Sequence, residues 1–487
     1  MAMIKRRSFL KRVAAASAAF PLVTIAGTKA SGRVLGANDA IRVGVAGIHG
    51  QGNSHIEQYL GLEGVRVTHL IDPDQSLFES RSAPIREKWG LDPKCFQDIR
   101  EALEDSNLDA ISVATPNHWH SLLTIWACQA GKDVYVEKPL SHNITEGRRC
   151  VEAARRYQRI VQHGTQERSS PGRANEIAAV HSGKYGKLRV SKGYCCKPRW
   201  SIGHKPIGQP PQHLDFNLWL GPAAEQPYHG NLVHYNWHWF WDFGNGDIGN
   251  QGIHELDVAR WAIPGVTLPT KVWSLGGRFA EGDQGQTPNM QLAVYEYGDV
   301  HLVFEVRGLV RARDEQPENP LSRFKVSNEY YTDQGMITDG QFHPNDGDQP
   351  QQLERFDVKV TDGGAWGSFL HAVRTRNVAD CNADVELGHH SCCLIHAANA
   401  SYRLGENVPF REQAQALGEN HEVVESFRNL TENLQVAGIR LEEREYRLGK
   451  TLTLDPQAER YVGEGADEAN AFLTRDYRAP FVVPAQV

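Results

Sequence analysis

Short apolar runs alternate with amphipathic segments of helical length over the first third of the chain. The strand-like runs lie at residues 41–47, 65–71, 109–114, 133–136 and 160–163. The helix-like segments lie at about 76–90, 118–131 and 144–158. Strands that alternate with helices of about 10–15 residues are typical of βαβ units, in which helices cover a parallel sheet. The pattern predicts a doubly wound α/β domain.

After about residue 166, longer segments of alternating apolar and polar residues replace this order. They lie at 187–197, 271–279, 289–297 and 300–307. The last two meet at Gly298-Asp299, and a tight turn between alternating runs favours a hairpin. We expect an α+β domain with a large, mostly antiparallel open sheet. Helices at about 252–263, 366–376, 383–404 and 415–432 would cover it.

Two Pro- and Gly-rich stretches, 198–223 and 308–350, are expected to be long loops of the kind that often carry binding function. The predicted domain boundaries are 38–165 for the α/β domain and 166–450 for the α+β domain. Residues 451–487 would form a C-terminal extension packed on the core. A chain of 487 residues is long enough for two such domains.

Composition excludes several classes of protein. Hydrophobic residues make up 40% of the chain and charged residues 23%, which excludes disordered and collagen-like proteins. A net charge of −7 argues against a nucleic-acid-binding surface. The sequence contains no apolar run of about 18 residues or more, so it predicts no membrane span.

The first 30 residues have the pattern of an export signal. Residues 5–11, KRRSFLK, contain paired arginines, and a weakly apolar, alanine-rich stretch follows from 13 to 27. This order is typical of a Tat signal peptide and predicts a periplasmic or otherwise exported protein that uses the Tat machinery. A basic N-terminal tail is the alternative. The Tat route carries folded proteins, which is compatible with a cofactor bound before export.

The eight cysteines lack C-x-x-C spacing, and two pairs of them are adjacent, at 195–196 and 392–393. Adjacent cysteines converge poorly on one zinc ion. We therefore expect mostly buried thiols, no disulfide framework and no metal site.

A glycine-rich turn, Gly44 to Gly52, lies where the first strand passes into a helix. Glycines there permit a tight turn and let backbone N–H groups approach a pyrophosphate. In the G-x-G-x-x-G frame, His49 replaces the middle glycine. Asp72 stands at the end of the second strand, where a carboxylate can accept hydrogen bonds from ribose hydroxyls and repel a 2′-phosphate. The sequence predicts a Rossmann-type domain that binds NAD rather than NADP.

Three further motifs accompany the glycine turn. They are residues 115–120, TPNHWH; residues 136–140, VEKPL; and residues 244–257, GNGDIGNQGIHELD. With these motifs the chain resembles the Gfo/Idh/MocA family of NAD(P)-dependent oxidoreductases, which includes glucose–fructose oxidoreductase and inositol dehydrogenase, over about residues 40–310. The helix at 387–405 and the PFVVP tail resemble a long, exported bacterial subgroup.

The resemblance implies an NAD site at the loops that follow the parallel strands, where ligands bind in such sheets. The residues expected to contact NAD are Gly47, His49, Gly50, Gln51, Gly52, Asp72, Thr115, Pro116, Asn117, His120, Glu137, Lys138 and Gln166.

Lys138 and His254 are the expected catalytic groups. A lysine beside the nicotinamide can hydrogen-bond the reacting hydroxyl and stabilise negative charge that develops on its oxygen. His254 can accept the hydroxyl proton. In relatives an Asp commonly stands four residues before this His, but Asn250 occupies that position here and cannot act as a base. His254 would act alone or with Asp247; a structural histidine at a helix start is the alternative.

Aromatic residues concentrate just before His254, in residues 235–241, YNWHWFW. Flat rings with polar edges suit sugars, whose C–H faces stack on them, although a buried aromatic cluster is the alternative. The residues expected to bind substrate are Lys197, His234, Trp237, His238, Asn250 and His254.

These features predict hydride transfer between a secondary hydroxyl of a carbohydrate and tightly bound NAD, and the resemblance implies a glycoside or another pyranoside as the substrate. An exported enzyme has no free NAD pool, so its cofactor must be regenerated in place. A second carbonyl substrate could reoxidise it, or one substrate could be oxidised and re-reduced within a cycle. The second route gives an epimerase, or a glycosidase that acts through a transient keto-sugar. A sugar-binding protein without turnover is a third hypothesis.

Relatives in this family are often dimers or tetramers that pack through the open face of the large sheet. An exposed apolar face requires such cover. The resemblance therefore implies a homo-oligomer.

Overall fold

A computed structural model describes residues 39–265, 267–410 and 417–487. The predicted export signal, residues 1–30, lies outside this part of the chain. Of the helices that the described residues form, none combines the length and the apolar character needed to cross a membrane.

The first sheet is entirely parallel. Its strands are β1 (Ile41–Ala46), β2 (Val65–Ile71), β3 (Lys94–Phe96), β4 (Ala110–Val113), β5 (Asp133–Val136) and β6 (Val161–His163). Within the described residues they form a six-stranded sheet in the order β3-β2-β1-β4-β5-β6. The strand order reverses between β1 and β4, which leaves a crevice at the carboxyl ends of the strands. The doubly wound fold predicted from the sequence is confirmed.

Helices cover this sheet. They are α1 (Gln51–Gly61), α2 (Phe78–Trp89), α3 (Ile99–Leu103), α4 (Asn117–Gln129) and α5 (Ile144–Arg156). The start of α5 shows how the sequence fixes a boundary: the Asn143 side chain accepts the Glu146 N–H, and the Glu146 carboxylate accepts the His142 N–H. Such reciprocal bonds satisfy N–H groups that have no partner within the helix. The cap thus holds the loop that runs from β5 into α5.

The second sheet is mostly antiparallel, as predicted. Its strands are β7 (Leu188–Cys196), β8 (Lys271–Gly277), β9 (Met290–Tyr297), β10 (Val300–Arg307), β11 (Lys325–Thr332), β12 (Gly335–Thr338), β13 (Gln341–Pro344), β14 (Gln351–Gln352), β15 (Glu406–Pro409), β16 (Glu445–Leu448), β17 (Leu452–Asp455) and β18 (Arg460–Val462). Within the described part of this second sheet, only β7 and β10 pair in parallel. The β9–β10 hairpin turns at Gly298-Asp299, as the sequence indicates.

The stretch 308–350 differs from the expectation of a long loop. It contains β11, β12 and β13, which extend the second sheet beyond β7. Its many Pro, Gly and Asp residues lie in the turns between these strands and in the segment before them, so composition alone obscured the strands.

The remaining helices lie in the second half of the chain. They are α6 (Pro171–Ser182), α7 (Phe216–Leu220), α8 (Gly246–Asn250), α9 (Ile253–Trp261), α10 (Gly364–Thr375), α11 (Val385–Arg403), α12 (His421–Val436) and α13 (Ala466–Asn470). Apolar residues of α9 and α11 share one core with the first domain and with strands β9 and β10. This core joins the two sheets on either side of the crevice.

The expectation that the helix near 366–376 covers the second sheet is wrong. Ala365, Phe369 and Val373 of α10 share a buried cluster with Val43 and Val45 of β1. A helix with one apolar stripe must bury that stripe, but the stripe does not specify which sheet buries it. The first domain is therefore completed by residues far along the chain.

Helix α12 covers the other face of the second sheet. Val423, Leu430 and Leu434 pack in one cluster with Leu292 of β9 and Val303 of β10, among others. The expected exposed apolar face is therefore covered by the chain itself at β8, β9 and β10. A homo-oligomer stays a prediction, and it would need another contact surface.

The eight cysteines are free thiols, seven of them buried and Cys95 exposed. Among the described residues, no three His, Cys, Asp or Glu side chains come together in a way that could hold a metal ion.

We expect Phe369→Ala to lower the free energy of unfolding by about 3–5 kcal/mol, because it removes a fully buried ring from the core of the first domain. Urea unfolding measures this loss. His371→Ala, on the exposed side of the same helix, should change it by no more than about 0.5 kcal/mol. Equal effects of the two substitutions would show that α10 does not pack on the first sheet.

Candidate active site

A cavity of about 360 Å³ opens at the carboxyl ends of β1, β2, β4 and β5, facing the segment from 197 to 251 of the second domain. The predicted site residues that line it are Gly47, His49, Gly50, Gln51, Asp72, Thr115, Pro116, Asn117, His120, Glu137, Lys138, Lys197, His234, Trp237 and Asn250. The predicted residues that do not line it are Gly52, Gln166, His238, Asp247 and His254. Most of the predicted set therefore meets in one cavity.

The glycine turn packs too tightly for side chains. Gly47 has φ +79°, and a Cβ there would lie 2.6 Å from the Thr115 nitrogen; a Cβ at Gly52 would overlap the Gly47 carbonyl. Only glycine tolerates both constraints. Helix α1 then begins at Gln51 without a side-chain cap. Because Gly50 and Gln51 line the cavity, the positive end of this helix can meet an anionic ligand there.

Asp72 follows β2 and ties the turn to the sheet. Its carboxylate accepts hydrogen bonds from the Ile48 N–H at 2.8 Å and from the Asp74 N–H at 2.9 Å. Burial raises the pKa of Asp72 to about 6, against the effect of these bonds. The carboxylate lines the cavity and retains acceptor positions that a ribose hydroxyl could use.

Two buried polar atoms at the cavity wall have no hydrogen-bond partner within the described part of the chain. They are the Thr115 hydroxyl oxygen and the Asn117 side-chain nitrogen. An unpaired buried polar group is costly, and a polar ligand in the cavity would supply the missing partners. With the glycine turn, the uncapped α1 and Asp72, these atoms fit a dinucleotide.

Glu137 is fixed between β5 and the glycine turn. Its Oε1 accepts hydrogen bonds from His55 Nε2 and Gln51 Nε2, each at 3.0 Å, and its Oε2 accepts one from the Lys138 N–H at 3.1 Å. Burial alone would raise the pKa of Glu137, but the hydrogen bond and charge of His55, followed by the charge of Lys138, lower it to about 2. Glu137 is therefore ionised, and Gln166 lies within reach of it at 3.3 Å.

Lys138 links the two domains. Its ammonium group donates to the backbone carbonyl of Asn250 at 2.6 Å, and the Lys138–Pro139 peptide bond is cis. Burial lowers the pKa of Lys138, while Glu137 and Asp247 oppose that shift. His120 contacts the Pro139 carbonyl at 2.6 Å and the Thr115 carbonyl at 2.7 Å, so it bridges two loops of the cavity wall.

His254 lies in the first turn of α9. Desolvation, followed by the charge of Lys138, lowers its pKa to about 3, so the ring is neutral near pH 7 and can accept a proton. Within the described residues, the Asp247 carboxylate does not contact this ring. Asp247 accepts a hydrogen bond from Arg199 Nε at 2.7 Å and one from the Cys195 thiol at 3.3 Å. Asp247 thus holds Arg199.

The second domain contributes the opposite wall. Lys197 Nζ donates to the Gln251 side-chain oxygen at 2.8 Å, and the Trp237 indole N–H donates to the His234 carbonyl at 3.0 Å. The aromatic segment therefore divides between the cavity wall and the interior: Trp237 lines the cavity, whereas His238 is buried. Burial lowers the pKa of His238 to about 4.

His234 lies beside the glycine turn. Its ring stacks on the His49 ring with centroids 4.3 Å apart, and its Nε2 lies 3.0 Å from the Asp74 carboxylate. The ring is thus held on the side of the cavity where the glycine turn lies.

Sequence reasoning missed Arg199, Gln251 and His55. Arg199 and Gln251 line the cavity; Arg199 belongs to no motif, and Gln251 lies inside the motif at 244–257 but carries no signal of its own there. His55 lies one turn into α1 and contacts Glu137. In the sequence it looks like any other polar residue of a helix, because nothing there shows that it is buried. Only the fold brings these residues to the site.

Family models match both domains of the chain. The model described as "Oxidoreductase family, NAD-binding Rossmann fold" matches residues 41–165, and the model described as "Oxidoreductase family, C-terminal alpha/beta domain" matches residues 182–272. The NAD-binding domain expected from the glycine turn is confirmed.

Curated relatives match over 226 residues. The chain is similar to a glycosyl hydrolase family 109 protein of Shewanella sp. (strain W3-18-1), with 28% identity over 42% of this chain and 49% of the relative. It is similar to an alpha-N-acetylgalactosaminidase of Shewanella oneidensis, with 27% identity over the same shares. The chain therefore spans about half the length of the curated relatives it matches.

Solved structures share the fold. The WlbA dehydrogenase of Bordetella pertussis, solved with NADH and UDP-GlcNAcA, is 18% identical, with a TM-score of 0.54 over 75% of this chain and 97% of that one. The UDP-N-acetylglucosamine 3-dehydrogenase GnnA of Acidithiobacillus ferrooxidans is 14% identical, with a TM-score of 0.50 over 74% and 98%. The family models place residues 41–165 and 182–272 of the chain in the Gfo/Idh/MocA family of oxidoreductases.

Proposed function

We propose that this protein transfers hydride between a secondary hydroxyl of a carbohydrate and tightly bound NAD. One observation carries the proposal: a single cavity runs from the glycine turn to the Lys138 ammonium group. Gly47, Gly50, Gln51, Asp72 and Thr115 would hold the cofactor. The cofactor and a hydroxyl held by Lys138 would then share one enclosed space.

Bound NAD would supply the hydride acceptor at this site. Lys138 donates a hydrogen bond to the reacting oxygen and stabilises the negative charge that develops there. Its present acceptor is the Asn250 carbonyl, which positions the amine at the cavity wall. His254, neutral near pH 7, takes the hydroxyl proton. Glu137 orients the Lys138 backbone, and the Asp247–Arg199 ion pair positions the neighbouring wall.

The names of the curated relatives favour a second candidate function. Glycosyl hydrolases and an alpha-N-acetylgalactosaminidase cleave glycosidic bonds, which a dehydrogenase alone does not do. A redox-neutral cycle through a transient keto-sugar would use the same NAD site, Lys138 and His254 and would return the hydride to the substrate. It would also suit an exported protein that retains its cofactor and assembles as a homo-oligomer.

We expect Lys138→Met to reduce turnover by about 100-fold or more, because the variant loses the group that stabilises the oxyanion. NAD binding, measured by calorimetry, should weaken much less, since the glycine turn and Asp72 are unchanged. His254→Asn should lower kcat by a similar factor without weakening NAD binding. Near-normal turnover in Lys138→Met would contradict the proposed role of Lys138.

The rate of oxidation should fall at high pH. Lys138 must be protonated to donate, and burial lowers its pKa below the ordinary value of 10.5. Activity is therefore lost as the pH rises through this lowered pKa. The pH profile of kcat/KM measures this decline at high pH. Lys138→Arg should move the decline to higher pH because arginine stays protonated. An unchanged decline in Lys138→Arg would assign the titration to another group.

The two candidate functions differ in what accumulates. Net oxidation leaves NADH on the protein after one turnover unless a carbonyl compound is added, whereas a redox-neutral cycle leaves NAD⁺ and a changed glycoside. The experiment mixes thoroughly dialysed protein with a glycoside and then denatures it. Mass spectrometry then measures the released cofactor, as NAD⁺ or NADH, and the glycoside product. We expect about one cofactor per chain before mixing. An empty protein would contradict tight retention.

A further inference from the structure

Two ammonium groups, one from each domain, reach the same short segment of the cavity lining. Lys138 donates to the Asn250 carbonyl at 2.6 Å, and Lys197 donates to the Gln251 side-chain oxygen at 2.8 Å. Asn250 and Gln251 are consecutive residues, so both lysines are anchored at one short segment. Both lysines also line the cavity.

The charges around Lys197 are unequally balanced. Arg199 is neutralised by Asp247, whose carboxylate lies 2.7 Å away and is fully buried. Glu137 precedes Lys138 in the chain, and its negative charge partly compensates the positive charge of the Lys138 ammonium group. Lys197 has only a neutral amide as its hydrogen-bond acceptor, and no carboxylate among the described residues lies within ion-pair distance of it.

Glu255 is an acidic group that reaches Lys197 through a shared neighbour, Gln251. The Gln251 side chain separates the two: its oxygen accepts from Lys197, and its nitrogen donates to the Glu255 carboxyl at 3.2 and 3.5 Å. Burial raises the pKa of Glu255 to about 8, so this carboxyl is mostly protonated near pH 7. Lys197 therefore has no ionised carboxylate as a hydrogen-bond partner among the described residues, and its charge is available to a ligand in the cavity.

We propose that the substrate is a carbohydrate that bears an anionic group, and that Lys197 binds this group while Lys138 holds the reacting hydroxyl. The inference rests on the proposed function. A carboxylate of a sugar acid or a phosphate ester would supply the missing charge, and a partly desolvated cavity strengthens this attraction relative to water. The flat ring of Trp237 offers a surface for the sugar.

The test compares sugars that differ only in charge. NAD-loaded protein is assayed with methyl glucosides and galactosides, the corresponding methyl uronides and the corresponding 6-phosphates. For glucose or for galactose, the uronide or the 6-phosphate should exceed the neutral methyl glycoside in kcat/KM by about 10- to 100-fold. This is the range expected for a hydrogen bond to a charged group. The preferred anionic member distinguishes a carboxylate from a phosphate. Added salt should reduce the preference.

Variants assign the preference to one residue. Lys197→Gln should reduce the anionic-to-neutral ratio to about 1, and Lys197→Arg should keep most of it. The matched control is Lys187→Gln, an exposed lysine just before β7 that pairs with Asp299, and it should leave the ratio unchanged. Equal rates for neutral and anionic sugars, or a ratio that survives in Lys197→Gln, would overturn the inference while leaving the proposed function intact.

A second measurement separates failure of this inference from failure of the proposed function. If no sugar is turned over, equilibrium binding of the same sugars to the NAD-loaded protein is measured by calorimetry. Tighter binding of an anionic sugar that is lost in Lys197→Gln would support the inference and count against hydride transfer. Binding that is independent of charge would overturn the inference.

Discussion

One hydrogen bond joins the two domains at the centre of the cavity: the Lys138 ammonium group, which follows the fifth strand of the first sheet, donates to the Asn250 carbonyl of the second domain. A lysine amine that loses water must find acceptors, and this carbonyl supplies one. The bond therefore fixes the position of the amine and the relative position of the two cavity walls. The residues proposed to bind the cofactor and those proposed to bind the substrate meet at this point, where the Lys138 ammonium group needs a hydrogen-bond acceptor from the second domain.

Burial acts in opposite directions on the groups around Lys138. It lowers the pKa of Lys138 and keeps His254 neutral, while the hydrogen bond from His55 and the charge of Lys138 keep Glu137 ionised despite burial. The site thus holds a donor, a proton acceptor and a fixed negative charge close together. Asp247, which the sequence offered as one possible helper of His254, forms an ion pair with Arg199, whereas Lys197 has a neutral amide as its acceptor.

The sequence predicted five of the six strands of the first sheet, the glycine turn and Lys138 because each leaves a local signal: strand-length apolar runs, glycines at a turn and a short motif after a strand. It missed the three-residue strand β3, whose residues are largely exposed. It did not predict which sheet α10 covers, because an apolar stripe does not identify its partner. It also missed β11, β12 and β13, whose strand signals are diluted by turn residues. Arg199 belongs to no motif, and Gln251 and His55 lie within or beside motifs without any feature that marks them as site residues, so only the folded contacts show that all three belong to the site.

Hydride transfer beside Lys138 is tested most directly by mixing NAD-loaded protein rapidly with the neutral and anionic glycosides and following the absorbance of reduced nicotinamide. We expect this absorbance to appear within the first turnover for at least one sugar, to persist in net oxidation or decay in a redox-neutral cycle, and to be absent in Lys138→Met. Full NAD occupancy with no reduced nicotinamide from any of these sugars, alongside intact sugar binding, would contradict the account and indicate a sugar-binding protein without turnover.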